Sequence, residues 1–187
     1  MLKRATDVAL CAGAVIAFAP VLVLIAIAIK VDSPGPALFK QKRVGKDGTL
    51  FQIYKFRTMD VGTPEVATDL MLKLQKSPIT KVGAFLRRTS LDEIPQLLNV
   101  LEGTMSLVGP RPALYNQYEL TDKRAAAGAL RMPPGITGWA QVNGRDELGD
   151  DEKVAYDKWY CDNWNYWLDW KILLRTVREV VTKRGAN

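Results

Sequence analysis

The chain has 187 residues and a net charge of +6 with a sequence pI near 9.3, which allows one real core and points to an anionic partner: nucleic acid, an acidic membrane face or a phosphorylated substrate. It contains no histidine, which excludes Ser–His hydrolase machinery and histidine-ligated zinc and leaves acid–base or metal chemistry to carboxylates, lysine, tyrosine or cysteine. Cys11 and Cys161 show neither metal-ligand spacing nor a disulfide framework, so reduced thiols are expected.

From the N terminus, Lys3 and Arg4 precede an uncharged apolar run over 8–29 that is long enough to span a membrane. Basic residues also follow it, at Lys30, Lys40, Lys42 and Arg43, whereas a simple span leaves one basic flank outside, against the positive-inside tendency. Pro20 sits mid-run and is expected to break or kink the helix. Two halves of roughly 10–12 residues, at about 1.5 Å each, reach only about half-way through a ~30 Å hydrocarbon layer. The favoured reading is a re-entrant helix that dips into one leaflet and returns, with a straight span as the alternative. Asp7 is placed to pair with Lys3 or Arg4 one turn earlier.

Asp32-Ser33-Pro34-Gly35-Pro36 forms a rigid exit from this element. Strands over 37–44 and 49–58, joined across Gly45-Lys46-Asp47-Gly48, make a small basic β-hairpin. Lys55 and Arg57 alternate there with Tyr54 and Phe56, so one face offers cations either to a phosphate or merely to solvent. The stretch 60–77 reads as a polar connection with one helical patch at Leu70, Met71, Leu72 and Leu74.

Next comes Arg87-Arg88-Thr89-Ser90-Leu91-Asp92-Glu93-Ile94-Pro95, two arginines just ahead of two adjacent carboxylates at a predicted helix start. Two starts compete: a capping box of Ser90 with Glu93, or Asp92 as N-cap, which puts Pro95 in the first turn. Either places Asp92 and Glu93 at the positive end of a helix that stops at Gly103. Leu91, Ile94, Leu97, Leu98 and Leu101 recur at helical spacing and predict its buried face. In Gly109-Pro110-Arg111-Pro112 two prolines stiffen the backbone around one arginine, which lowers the entropy lost when it grips a phosphate.

A helix over 116–130 ending near Gly128 leads to a glycine- and proline-rich loop carrying Trp139 and Arg145, a composition found in binding walls. The stretch 152–181 is helical in pattern and holds four of the five tryptophans, Trp159, Trp164, Trp167 and Trp170, a density that fits either a membrane interface or a core. Asp157, Asp162 and Asp169 accompany them and either reach the site or face water.

These features converge on phosphate chemistry at a membrane surface. A carboxylate can attack phosphorus to give an acyl phosphate, but its own charge opposes approach to a diphosphate. Arginines and a hard, oxygen-ligated cation such as Mg²⁺ would cancel that repulsion.

The chain resembles the bacterial sugar transferase family, the monotopic polyprenyl-phosphate hexose-1-phosphate transferases or phosphoglycosyl transferases. The resemblance rests on Lys3-Arg4 with Asp7, the apolar run, Asp32-Ser33-Pro34-Gly35-Pro36, Arg43-Val44-Gly45, Tyr54-Lys55-Phe56-Arg57-Thr58-Met59, and the segments 89–99, 107–112 and 134–145. It implies an α+β, mostly helical fold: an N-terminal re-entrant membrane helix over 1–31, then a cytoplasmic catalytic part over 32–187 with a small β-hairpin and amphipathic interfacial helices around the active site, as a single domain. It also implies transfer of a sugar 1-phosphate from a UDP-sugar to undecaprenyl phosphate with Mg²⁺ and release of UMP, at the cytoplasmic face of the bacterial inner membrane. Carried over by position, Asp92 is the nucleophile, Glu93 binds or orients the metal and helps manage a proton, both belong to the metal site, and Arg87, Arg111, Arg145, Lys55 and Arg57 hold phosphate oxygens. Two departures stand out: Ala19-Pro20 replaces the Ser-Pro of many relatives, and Ser77-Pro78-Ile79 lacks a basic residue after the proline.

A scaffold that binds anionic lipid without catalysis is the competing expectation, but it leaves Asp92-Glu93 and the stiffened Arg111 without a role. Nucleic acid is not expected, because the basic residues form no concentrated recognition helix. The identity of the sugar and the oligomeric state, a homodimer included, are open.

Overall fold

The computed structural model describes residues 2–63, 78–144 and 147–182. These are mostly helical, with a long apolar N-terminal helix and two small two-stranded sheets. The first helix, α1 (Leu2–Asp32), continues through Pro20, so of the expected break or kink no break occurs. The proline removes one backbone hydrogen bond, and the turns on either side keep theirs.

Both ends of α1 pack on the rest of the chain. Near its start, Arg4 donates to the carbonyls of Val100 and Leu101, Lys3 pairs with Asp169 at 2.6 Å, and Asp7 accepts from the Ser106 hydroxyl at 2.7 Å. Asp7 thus pairs with Ser106 rather than with Lys3 or Arg4, because a buried carboxylate must find its donor inside. Near its end, Ile25 and Ile29 cluster with Phe56 and Leu86, and the Val82 N–H donates to Asp32 at 2.9 Å. At about 100° per residue Phe18 lies on the side shared by Cys11 and Ile29, yet it is 51% exposed. The middle of α1 is therefore uncovered.

Strands β1 (Leu38–Val44) and β2 (Leu50–Phe56) form the expected antiparallel hairpin, with Gln41 opposite Ile53. Helix α2 (Lys81–Thr89) is N-capped by Thr80 and lies so close to the hairpin exit that a Cβ on Gly83 would sit 2.1 Å from the Thr58 carbonyl oxygen. Ser90 then takes a left-handed conformation (φ 56°, ψ 16°), a 3-10 turn covers Leu91–Glu93, and α3 (Gln96–Glu102) runs to Gly103 at φ 91°. Neither expected cap forms. Ser90 makes no side-chain cap bond, and the Glu93 carboxylate is drawn away to cations on other elements. The predicted apolar face holds only in part: Leu98 is exposed, while Gln96 and Asn99 are buried. Asn99 donates to the Gln52 carbonyl at 2.7 Å and accepts from the Tyr54 N–H at 2.9 Å, pairing with the outer edge of β2 as another strand would.

Strands β3 (Ser106–Val108) and β4 (Gly135–Thr137) are parallel, with Ser106 opposite Gly135. Their extensions touch backbone to backbone: a Cβ on Gly109 would lie 2.3 Å from the Pro133 oxygen, and one on Gly135 2.1 Å from the Gly109 nitrogen. The glycine content of both segments reflects this contact. Helix α4 (Tyr118–Ala126) follows β3, and the aromatic stretch forms two helices, α5 (Asp150–Asn163) and α6 (Tyr166–Thr182), separated at Trp164 (φ −55°, ψ 130°). Val108, Tyr160, Leu168 and Ile172 make a core where β3, α5 and α6 meet. The tryptophans divide between packing and solvent: Trp139 and Trp159 stack at 4.8 Å, whereas Trp167 is 78% exposed. Cys11 and Cys161 are buried free thiols. The helical patch expected at Leu70, Met71, Leu72 and Leu74 lies outside the described residues.

Candidate active site

The 3-10 turn Leu91–Glu93 faces β2 and the segment after β3, and there three sequence-predicted residues meet. Glu93 Oε1 lies 2.8 Å from Lys55 Nζ on β2 and 2.7 Å from Arg111 Nη2. The Glu93 side chain is only 17% exposed. Burial alone would raise its pKa, but the charges and hydrogen bonds of Arg111 and Lys55 outweigh that and hold the carboxyl well below the usual carboxylate range. Burial also pulls Lys55 below the ordinary lysine value, against the charge of Glu93.

Its neighbour Asp92 is arranged differently. Among the described residues it makes no ion pair within 4 Å, and its carboxylate is held by its own backbone N–H. Burial raises its pKa above the ordinary 3.8, only partly countered by the fields of Lys55 and Arg87. Adjacent carboxylates are thereby split into a neutralised, low-pKa member and a raised-pKa member without an ion pair, a division that commonly separates roles in acid–base and nucleophilic sites.

Arg87 projects from the last turn of α2, and its Nε donates to Thr58 Oγ1 at 2.9 Å. Arg111 follows β3 and sits on three consecutive carbonyls that other elements hold: Pro110 O accepts from the Gly135 N–H at 2.9 Å, Arg111 O from Arg124 at 2.8 Å, and Pro112 O from Arg43 at 3.1 Å. Two prolines and three external donors thus fix the backbone from which the guanidinium extends.

Arg57, expected beside Lys55 on a phosphate, is buried and donates to the carbonyls of Ser33 (2.7 Å), Ile29 (3.5 Å) and Pro34. It satisfies the exposed carbonyls at the C-terminal end of α1, where a cation is favoured. Arg145 lies outside the described residues. Pro20 lies in the uncovered middle of α1, away from both packed ends.

Among the described residues no three carboxylate or thiol side chains cluster as a complete metal site. Asp92 nevertheless supplies a hard oxygen donor without an ion pair, and Glu93 beside it offers chiefly Oε2, since Lys55 and Arg111 hold its Oε1. That donor set fits magnesium, which typically takes one or two carboxylates and completes its shell with substrate phosphates and water.

Three contributors escaped the reading of the sequence. Asn99 docks α3 on β2, Thr58 anchors Arg87, and Arg124 holds the Arg111 carbonyl while pairing with Asp157 at 2.6 Å. Asn99 lies off the apolar repeat Leu91, Ile94, Leu97, Leu98 and Leu101, so no local pattern marked it.

Fold and site together define a protein with an apolar N-terminal helix packed at both ends on a body that carries an arginine- and lysine-bounded carboxylate pair. The bacterial sugar transferase family model matches residues 1–183, and the chain belongs to that family. It is 46% identical over 195 residues to the UDP-glucose:undecaprenyl-phosphate glucose-1-phosphate transferase of Escherichia coli (strain K12), covering all of this chain and 41% of that protein. It is 41% identical over 200 residues to an uncharacterized sugar transferase of Haemophilus influenzae, again with its whole length and 42% of the relative's. A UDP-glucose:undecaprenyl-phosphate glucose-1-phosphate transferase of Caulobacter vibrioides is 43% identical over 193 residues, with 98% of this chain and 71% of the relative. The chain thus spans about two fifths of the first two relatives' length.

Proposed function

We propose that the protein transfers a sugar 1-phosphate from a UDP-sugar to undecaprenyl phosphate, with Asp92 as nucleophile. The observation that carries this reading is the asymmetry of the carboxylate pair: Glu93 is neutralised by Lys55 and Arg111, and Asp92 makes no ion pair among the described residues and is bordered by the fields of Lys55 and Arg87. The names of the Escherichia coli and Caulobacter vibrioides relatives supply the substrate classes.

In the first step an Asp92 oxygen attacks the phosphorus nearest the sugar. An O–P bond forms as the bond to the second phosphate breaks, and UMP leaves with that electron pair. In the second step an oxygen of the lipid phosphate attacks the same phosphorus, forming the lipid diphosphate sugar and freeing Asp92. Arg111, Arg87, Lys55 and, by the family resemblance, Arg145 hold phosphoryl oxygens, so that negative charge on nucleophile and substrate is balanced before reaction. Arg57 is better placed to brace α1. Magnesium bound at Asp92 and Glu93 would supply further neutralisation of phosphoryl charge.

The membrane reading follows the same lines: residues 1–31 form the re-entrant element, and 32–187 a single catalytic unit at the cytoplasmic face of the inner membrane. It is supported by the packing of both ends of α1 on one body while the apolar middle stays exposed. A helix of 31 residues, ~46 Å at about 1.5 Å per residue, would put its ends on opposite sides if it crossed straight through.

The test is incubation of purified protein with a panel of radiolabelled UDP-sugars and Mg²⁺, without lipid. The expected result is a labelled covalent adduct on Asp92 together with UMP. UMP that forms only after undecaprenyl phosphate is added overturns the two-step mechanism in favour of direct transfer, and no UMP under either condition favours the lipid-binding scaffold.

A further inference from the structure

We propose that the buried Arg124–Asp157 ion pair is a positioning device, aiming Arg111 at the reacting phosphate by holding its backbone carbonyl. Both side chains are nearly inaccessible, at 5% and 1%. Arg124 comes from α4 and Asp157 from α5, and neither carries a role in the reaction itself. One guanidinium nitrogen of Arg124 contacts Asp157 Oδ2 at 2.6 Å and the other donates to Arg111 O at 2.8 Å. The fork therefore ties two helices to the residue whose side chain reaches Glu93.

Stability alone is a poor reason for such a pair. Desolvating two charges offsets most of their attraction, and an apolar pair of similar volume is often as stable or more so. What an apolar pair lacks is a donor for the Arg111 carbonyl. That carbonyl is the central one of three in a row, between the Gly135 N–H on Pro110 O and the Arg43 donor on Pro112 O. Freed at its centre, the segment can pivot, and a displacement on the order of 1 Å at a phosphate-gripping group costs up to ~100-fold in rate.

This inference rests on the proposed transfer reaction, and the experiment separates the two. Full-length Arg124→Met/Asp157→Leu, which keeps the combined volume, is compared with wild type for UMP release and for thermal denaturation. Arg111→Met alone and the triple variant complete a cycle, and Arg124→Lys serves as the conservative control. The expected result is an unfolding midpoint equal to or above wild type and a fall in kcat/KM of about tenfold or more in the wild-type background. In the Arg111→Met background the same pair of changes should cost less than about twofold, because the pair acts through Arg111. Arg124→Lys, which keeps the charge but offers a single donor nitrogen in place of the fork, should recover much of the loss. Equal losses in both backgrounds, or none in either, overturn the positioning role while leaving the transfer reaction intact. A wild type that folds but releases no UMP from any UDP-sugar overturns both.

Discussion

Asp92 and Glu93 are consecutive residues with opposite electrostatics, and that difference can be tested without substrate. Asp92 has a raised folded pKa, so its contribution to stability is complete below its unfolded pKa and is lost as pH rises through the folded value; at neutral pH its ionisation costs stability. Glu93 has a depressed folded pKa, so its contribution is present above the unfolded value of about 4.5 and is lost only as pH falls far into the acid range. Asp92→Asn should therefore raise the unfolding midpoint at pH 7 by roughly 2 °C, and Glu93→Gln should lower it by at least as much, since Lys55 and Arg111 would lose their shared counter-ion. Paired thermal melts check this, and shifts of the same sign would refute the assigned asymmetry. Kinetically, Asp92→Asn should leave less than about a thousandth of the turnover, while retention above about a tenth removes the nucleophile assignment. The acid limb of kcat/KM should fall above the ordinary aspartate value of 3.8, because Asp92 must be ionised to attack. Glu93, held far below that range, is a weak proton acceptor, which leaves it the electrostatic part of the role expected of it. The residue types at this site were legible in the sequence because a paired carboxylate, a proline-flanked arginine and a strand lysine each stand out locally. Arg124 with Asp157 and Arg57 with the carbonyls of α1 were not, since each bond joins segments far apart in sequence and no local pattern specifies the partner.

At the scale of elements, close backbone contacts hold the site in place. Helix α2 approaches Thr58 through Gly83, and one turn later Arg87 reaches the hydroxyl of the same threonine. Gly83→Ala would force the helix away from Thr58 by the width of a methyl group, loosening Arg87 as well as the packing. The expected cost is about 1–3 kcal/mol of stability together with a larger loss in kcat/KM than the melt alone explains. Ala84→Gly, at an exposed position on the same helix, serves as the helix-propensity control and should cost about 1 kcal/mol without that excess kinetic loss. Equal kinetic effects would show that Gly83 has no special contact. The hairpin and the C-terminal end of α3 were legible, because alternation, a four-residue turn and a helix-ending glycine are local signals. The helix start was read wrongly for a physical reason: Glu93 gains more from two cations on other elements than from a backbone N–H at Ser90, so tertiary electrostatics displaced the local cap. The parallel β3–β4 pair escaped notice because its strands are three residues each, too short to show a period.

At the scale of the whole molecule, the length and apolarity of 8–29 point to a membrane and leave its path undecided, because length, flank charge and one proline bear on entry and exit only indirectly. Tertiary contacts add what the sequence lacked. The Asp7–Ser106 and Lys3–Asp169 bonds and the Ile25, Ile29, Phe56 and Leu86 cluster hold both ends of α1 to one body, while the apolar middle offers lipid an uncovered surface. Breaking the N-terminal contacts to carry one end across a bilayer would leave the buried Asp7 without its Ser106 donor and Lys3 without its Asp169 counter-ion, a cost that a straight span would have to overcome. Single cysteines placed at Leu2 and Val31, both exposed, in a chain whose Cys11 and Cys161 are replaced by serine or alanine, report the path directly. In sealed spheroplasts an impermeant maleimide should label neither position, and in inverted vesicles it should label both. Labelling of Leu2→Cys from one side and Val31→Cys from the other would establish a straight span, requiring the contacts at one end of α1 to be absent in the membrane. Repeating the assay with Pro20→Leu isolates the proline: if the packed ends fix the path, both positions remain accessible from the same side, whereas a shift of Leu2→Cys to the opposite side assigns control of the path to Pro20.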